Sequence, residues 1–586
     1  MVQQHAARAG DAPYRPIEDY ALIGDGLTAA LVSRDGAIDW ACFPRFDAPS
    51  VFARLLDADD GGYWQIAPVD AFTVERAYLP DTAVVATRFT TATGAIELLD
   101  FMPPQQVARG GRGEHAIVRL VRGLHGSVEI ATRLAPRFDY GRERPWWMIQ
   151  EGAGVRAARE DEALTLFTDL PLRIVADVAE GRRVVASGEE VAFLLAYRRP
   201  FSPLWPGGMA GTARQLLDQT VAHWHEWIGR CTYAGPHAAM VRRSALTLKL
   251  LDYLPSGAIV AAPTTSLPEA IGGERNWDYR YAWVRDTAFA LYALFGLGYR
   301  EEAEAFLGWI VAVSRRDPLT LQVLYGIEGE RQIAESILTH LRGYRDSRPV
   351  RIGNAAYDQR QLDIYGEVVD CAFLHFKHGG TVDPELWAFV RGIVDYVCAV
   401  WTEPDQGIWE VRSGPRHFVY SKAICWVALD RGVKLARRAG LPAAVATWER
   451  IRDEIHAELL REGYNEALGS FTQTYGGTEL DAAALALLLR KVLPAADPRM
   501  RSTVARVATD LREGDFLHRY TTERVDDGVG GPEGAFLMCS FWLVDCLAEM
   551  GQIAEAEDLF ARLLAHANDV GLYAEEIDPS SGEHRG

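Results

Sequence analysis

Residues 201–228 read FSPLWPGGMAGTARQLLDQTVAHWHEWI, and the pattern of the whole chain changes across them. The opening nine residues, rich in Pro and Gly, break both helix and strand and mark a boundary. From 212 to 228 the apolar residues return at helical spacing, which predicts an amphipathic linker helix. Before the boundary the chain alternates. Segment 83–89 runs into a turn at 92–94 and resumes at 95–101, a hairpin pattern. Residues 31–32, the Asp35-Gly36 turn and 37–40 form another. Segments 115–121, 127–134, 163–168, 172–178 and 191–197 also have strand character, with turns at short intervals. That spacing predicts an antiparallel β-sandwich rather than βαβ units.

After the boundary the period is 3.6. Helices are expected at 236–253, 285–298, 301–315, 363–377, 384–401, 417–437, 443–461, 479–491, 498–511, 534–549 and 553–567. No repeat of 33–47 residues recurs, so a solenoid is disfavoured. Paired helices can instead close into a ring of six hairpins, an (α/α)6 barrel. The expected layout is a β-sandwich at 1–205, a linker helix at 206–235 and a barrel at 236–586. Eleven helices are counted where such a ring has twelve.

The 586 residues carry a net charge of −19. Such acidity repels phosphate backbones and anionic lipid, so neither nucleic acid nor a membrane surface is expected as a partner. No apolar run reaches a membrane-spanning length, and the N-terminal residues lack the apolar core of a secretory signal. The 7 cysteines are scattered, with no CxxC. Neither a disulfide framework nor a metal site is expected, and a cytoplasmic location is. His223 and His225 are two apart on a helix and face different ways. HExxH and GxSxG are absent. The 16 tryptophans suit stacking on sugar rings, although large cores also collect Trp.

Five polar, aromatic segments interrupt the helices. GGERNWDYRYAWVRD (272–286) places Arg285 and Asp286 side by side, suited to sugar hydroxyls; Asp286 as a helix N-cap is the plainer reading. GIWEVRSGPRHFVYSK (407–422) sets Glu410 next to Trp409. An indole against a carboxyl would keep it protonated, as a general acid requires. GLYAEEIDP (571–579) offers Glu575 and Glu576, which face opposite ways in an extended loop: one into a pocket as a general base, the other to solvent. DDGVGGPEGAF (526–536) places Glu533 before a helix, as a dipole-compensating residue or a second candidate base. PVRIGNAAYDQRQLDIYG (349–366) offers Arg351, Asn354, Asp358, Gln359 and Asp363, for sugar hydroxyls or for packing a long loop.

These segments, with IEDYALIGDGLTAALVSRDGAIDWACFPRFDAPSVFARLLD (17–57), AAPTTSLPEAI (261–271) and GPEGAFLMCSFWLVDCL (531–547), resemble bacterial members of glycoside hydrolase family 15. That family contains glucoamylases, trehalases and related glucosidases, and the N-terminal stretch resembles its trehalase-type N-terminal domain. The resemblance implies a β-sandwich followed by an (α/α)6 barrel, and inversion at the anomeric carbon. It implies Glu410 as general acid, Glu575 as general base, and Tyr279, Trp283, Arg285, Asp286 and Trp409 around the substrate. Glu533 is read as structural. The resemblance also implies a further helix after Gly586. The function expected is exo-acting release of glucose from a small α-glucoside, trehalose before maltose- or isomaltose-type oligosaccharides. A phosphorylase is the rival, disfavoured by Glu575 because phosphate needs no carboxylate base. No cofactor is expected, and self-association is left open.

Overall fold

The computed structural model describes residues 14–108, 115–150, 154–198, 209–314 and 321–586. The boundary stretch at 201–208 and the N-terminal residues 1–13 lie outside the described residues.

The first part is an antiparallel two-layer sheet. One long strand, Ala116–Ala135, serves both layers. Its first half pairs with Glu190–Arg198 and Gly94–Phe101, its second half with Val178–Ala186 and Tyr63–Pro68. The chain passes between layers at Gly123–Gly126. Gly126 has φ 64°, and a Cβ there would sit 2.2 Å from the Thr93 carbonyl oxygen, so the passage requires glycine. Segments 115–121 and 127–134, expected as two strands, are therefore one. The expected strand at 172–178 is only Arg173–Val175. Ile38, Trp64, Phe89, Ile117, Ile130 and Leu166 fill the core between the layers.

Among the described residues twelve helices follow: α1 (Met209–Ile228), α2 (Ala238–Leu250), α3 (Val284–Gly296), α4 (Glu301–Ser314), α5 (Asp363–Lys377), α6 (Pro384–Val400), α7 (Val419–Ala439), α8 (Val445–Glu462), α9 (Ala486–Leu489, led by a 3-10 turn at Ala482–Leu485), α10 (Pro498–Asp510), α11 (Leu537–Glu549) and α12 (Ile553–Leu564). The helices α6 and α10 start alike. Pro384 and Pro498 hold the first helical position, and the N-cap Asp383 and Asp497 accept from the backbone N–H of Leu386 and of Arg499 respectively.

Burial separates two rings. Asp363–His375 of α5, most of α7 and the whole of 482–488 are buried, whereas α8, α10 and α12 bury a single stripe. The inner helices α3, α5, α7, α9 and α11 pack side by side, with α4, α6, α8, α10 and α12 outside. Inner and outer helices alternate along the chain, so every inner helix runs the same way. Its entry loop therefore falls at one end of the ring, and the five polar segments all lie there.

The sheet is fastened to that same end. Arg280 is fully buried between the two parts. It pairs with Asp278 at 2.7 Å and donates to the Ala48 carbonyl and the Tyr140 hydroxyl, both at 2.9 Å. Trp40 Nε1 donates to the Pro263 carbonyl at 2.7 Å. The loop carrying Tyr279, Trp283 and Arg285 is thus seated from below by the sheet. No described helix is long and apolar enough to cross a membrane.

Candidate active site

A cavity opens at the loop end of the ring. Its wall includes Tyr279, Trp283, Arg285, Asp286, Trp409, Glu410 and Glu575, residues from three loops that are remote in sequence.

Glu410 sits at the tip of the loop between α6 and α7, with its side chain one-fifth exposed (20%). Its φ of 59° is left-handed, a conformation that costs a non-glycine residue about 1–2 kcal/mol. The strained peptide is held by Gln359 Nε2, which donates to the Glu410 carbonyl at 3.0 Å. Trp283 Nε1 donates to Glu410 Oε1 at 2.7 Å, and Arg285 Nη2 donates to the same oxygen at 3.1 Å. Two donors on Oε1 leave Oε2 to carry a proton. Burial raises the carboxyl above its ordinary range, against the pull of Arg285.

The indole on this carboxyl is not the expected one. Trp409 turns away from its neighbour and donates to both oxygens of Asp481, at 2.9 and 3.0 Å. Its ring packs against Phe536 and under Arg519. Adjacent side chains diverge along an irregular loop, so Trp409 contributes to the cavity wall while Trp283 makes the contact.

Arg285 is a hub. Its Nη1 donates to Gln361 Oε1 at 3.0 Å, and Gln361 Nε2 donates to Gln359 Oε1 at 3.2 Å. One chain of hydrogen bonds thereby fixes the side chain and the backbone of Glu410. Asp286 is in the first turn of α3, whose N-cap is Trp283, so it is not the cap. It lines the cavity with its side chain 41% exposed, 3.6 Å from Arg285 Nη2.

Glu575 lies after α12 and is exposed on the cavity wall, but the protein packed around it desolvates its carboxyl and pushes it up to about 7. Tyr279 lines the same cavity close enough that the two groups influence each other's ionisation. The next residue enters a small three-stranded sheet, where Phe536 pairs with Glu576 and Leu537 N–H donates to the Glu575 carbonyl at 3.0 Å. That pairing fixes the alternation. Glu575 faces the cavity, and Glu576 does not meet solvent as expected but is fully buried on the other side.

There Glu576, Glu533 and Glu269 converge on Arg519, whose Nη2 lies 3.3, 2.6 and 3.2 Å from them. The guanidinium occupies the position a metal ion would take among these three carboxylates. Burial and the neighbouring carboxylates push Glu576 well up, and burial raises Glu269. Glu533 is absent from the first turn of α11, so it does not compensate that helix's dipole but pairs with Arg519. Arg519, Gln361 and Asp481 were not singled out in the sequence: nothing periodic or motif-like marks HRYTTERV, and their roles come from partners far along the chain.

The chain matches the model for "Glycosyl hydrolases family 15" over residues 235–586 and that for "Trehalase-like, N-terminal" over residues 8–185. It is 42% identical over 601 residues to a trehalase of Mycobacterium tuberculosis, covering 98% of this chain and 87% of that one. A trehalase of Mycolicibacterium smegmatis is 41% identical over 601 residues, with 98% and 89% covered. Among solved structures, a bacterial glucoamylase complexed with acarbose superposes with a TM-score of 0.70 at 13% identity, covering 100% of this chain and 93% of that one. The last comparison shows the fold: a β-sheet domain followed by an (α/α)6 domain.

Proposed function

The chain belongs to glycosyl hydrolase family 15, and from that premise we propose that it hydrolyses trehalose as an inverting, exo-acting α-glucosidase. The substrate is supported by likeness to proteins named trehalase that runs through both the sheet domain and the helical ring. The same matches support a division into a sheet domain at 1–205, a linker helix at 206–235 and a ring at 236–586. The 7 free cysteines support action in the reducing cytoplasm.

An inverting hydrolase needs one carboxyl that holds a proton and another that has lost it, with a water between the second and the sugar. Glu410 is the donor. The observation that carries this reading is the asymmetry of its carboxyl: Trp283 and Arg285 both donate to Oε1, which leaves Oε2 for the proton. Glu575, on the same cavity, is the base. Arg285 and Asp286 take the hydroxyls of the terminal glucose, with Tyr279, Trp283 and Trp409 as apolar walls. In the reaction Oε2–H of Glu410 protonates the glycosidic oxygen as its bond to C1 breaks. Glu575 takes a proton from water as that water bonds to C1 from the opposite face. Glu410 leaves the step ionised and Glu575 protonated, and exchange with solvent resets both.

Proton NMR in the first minutes of reaction tests this. Trehalose should give equal α- and β-glucose, because the attacked ring inverts and the departing ring keeps its C1–O bond. Excess α-glucose from the attacked ring would mean retention and would remove Glu575 from its role. Glucose released from maltose or isomaltose but not from trehalose would overturn the substrate.

A further inference from the structure

Arg285 presents the acid with a difficulty. A cation 3.1 Å from Glu410 favours the ionised carboxylate, the wrong form for a proton donor. Two other carboxylates face the same guanidinium. Asp286 does so from the cavity, where a bound sugar would engage it. Asp363 does so from behind: its Oδ2 is 3.8 Å from Arg285 Nη1, and its side chain is fully buried. Asp363 opens the inner helix α5, and among the described residues neither of its carboxylate oxygens has a hydrogen-bond partner. The neighbouring Leu362 N–H is already taken by Asp405 Oδ2 at 2.8 Å. A buried carboxyl without hydrogen bonds is costly to a fold, and the ion partner the structure gives it is Arg285.

Assuming the reading of Glu410 as acid, we propose that Asp363 is a positioning residue for proton donation: it offsets the charge of Arg285, so that Arg285 orients Glu410 without drawing off its proton. When Asp363 is ionised it balances Arg285, and ionising Glu410 would then add an uncompensated charge in a poorly solvated place.

The charged and titratable neighbours are as follows. Glu410 faces Arg285 and Asp286 from α3 and Asp363 from α5. Asp363 faces Arg285, Glu410 and, from the loop after α6, Asp405. It also faces Glu367 on its own helix and Tyr420 and Cys425 on α7. Glu367 is tied to Arg490 at 2.8 Å, and Lys422 of α7 lies beside Asp405. Burial, only partly countered by Arg285, pushes Asp363 up to about 7. Its negative charge is therefore present at higher pH, where the proton on Glu410 is at risk, and it raises the pKa of Glu410 there.

The test is the pH profile of kcat/KM on trehalose for wild type and Asp363→Asn, repeated with α-glucosyl fluoride, whose leaving group needs little protonation. The alkaline limb should move down by about one pH unit in Asp363→Asn, the acid limb should stay, and the defect should largely vanish on the fluoride. Asp363→Glu, which restores the charge, should return the limb toward wild type. If Asp363→Asn does not fold, the smaller Asp363→Ser takes its place and should move the limb the same way. An alkaline limb that stays in place in the folded variant overturns the proposal, as does an equal loss on both substrates. Glu410→Gln separates the premise from the inference. If that variant is active, the acid assignment falls; if it is inactive and the limb of Asp363→Asn is unmoved, only the role of Asp363 falls.

Discussion

The two sides of the cavity each hold a buried arginine among carboxylates, and they use it differently. On the Glu410 side, Arg285 donates directly to the carboxyl that lines the cavity. On the Glu575 side, Arg519 binds Glu576, Glu533 and Glu269, and acts on Glu575 only through space. One arginine aims a side chain; the other anchors the strand that follows the side chain. A proton donor must hold one oxygen toward the leaving group, so direct fixing suits it. A base must bind water, and an arginine on its oxygens would displace that water and depress its basicity. Desolvation by the surrounding protein, with Arg519 acting only through space, leaves Glu575 at about 7, basic enough to take a proton from water.

Substitutions can break that contrast. The largest effect should come from Glu410→Gln, with kcat/KM on trehalose falling by about 10²–10⁴-fold and α-glucosyl fluoride largely spared. Glu575→Ala should cost about as much on trehalose, but the fluoride should suffer equally, because water still needs a base. If both variants respond alike to the fluoride, the division of labour is wrong.

Asp286→Ala removes charge-assisted hydrogen bonds to the sugar and should raise the barrier by about 2–3 kcal/mol, or roughly 30–150-fold in kcat/KM. Kinetic parameters within a few-fold of wild type would show that the sugar does not depend on Asp286.

Arg519→Gln sharpens the other side. It leaves buried Glu576 without its cation, and Glu269 and Glu533 with Arg275 alone at 3.7 and 3.6 Å, so stability in urea should fall by about 3–5 kcal/mol. In the folded fraction the lost positive charge should raise the pKa of Glu575 above about 7. A base works when deprotonated, so wild-type kcat/KM should fall as pH drops through about 7, and in the variant that acid limb should lie higher. An unmoved limb would mean that Arg519 is purely structural. The smallest effect is expected from Glu533→Gln, less than about tenfold in kcat/KM because the side chain faces Arg519 rather than substrate. If inversion survived Glu575→Ala and failed in Glu533→Gln, the base would be Glu533.

Much of the architecture was legible because period is a local property. The helix expected at 363–377 is Asp363–Lys377 in the structure, and the one expected at 384–401 is Pro384–Val400. Val178–Ala186, VAEGRRVVA, went unread because its alternation sets charges against small residues, and its strand character comes from pairing with Ala116–Ala135. The two expected strands that proved to be one show the same limit. Gly123 and Gly126 look like a turn, and only the neighbouring strands decide that the chain bends without reversing.

The residues of the site divide in the same way. The sequence by itself determined that Glu410 and Glu575 lie in polar, aromatic loops between apolar helices and that Arg285 and Asp286 open a helix at the end of another such segment, and the helical order sends those segments to one end of the ring. Only the tertiary structure decided that Trp283, 127 residues away, holds Glu410 where Trp409 was expected. It also decided that Glu576 pairs with Arg519 and that Asp363 stands 3.8 Å behind Arg285. The reason is physical. Periodicity and turn chemistry act between neighbours along the chain, whereas a carboxyl's hydrogen bonds and desolvation depend on whatever the fold packs around it.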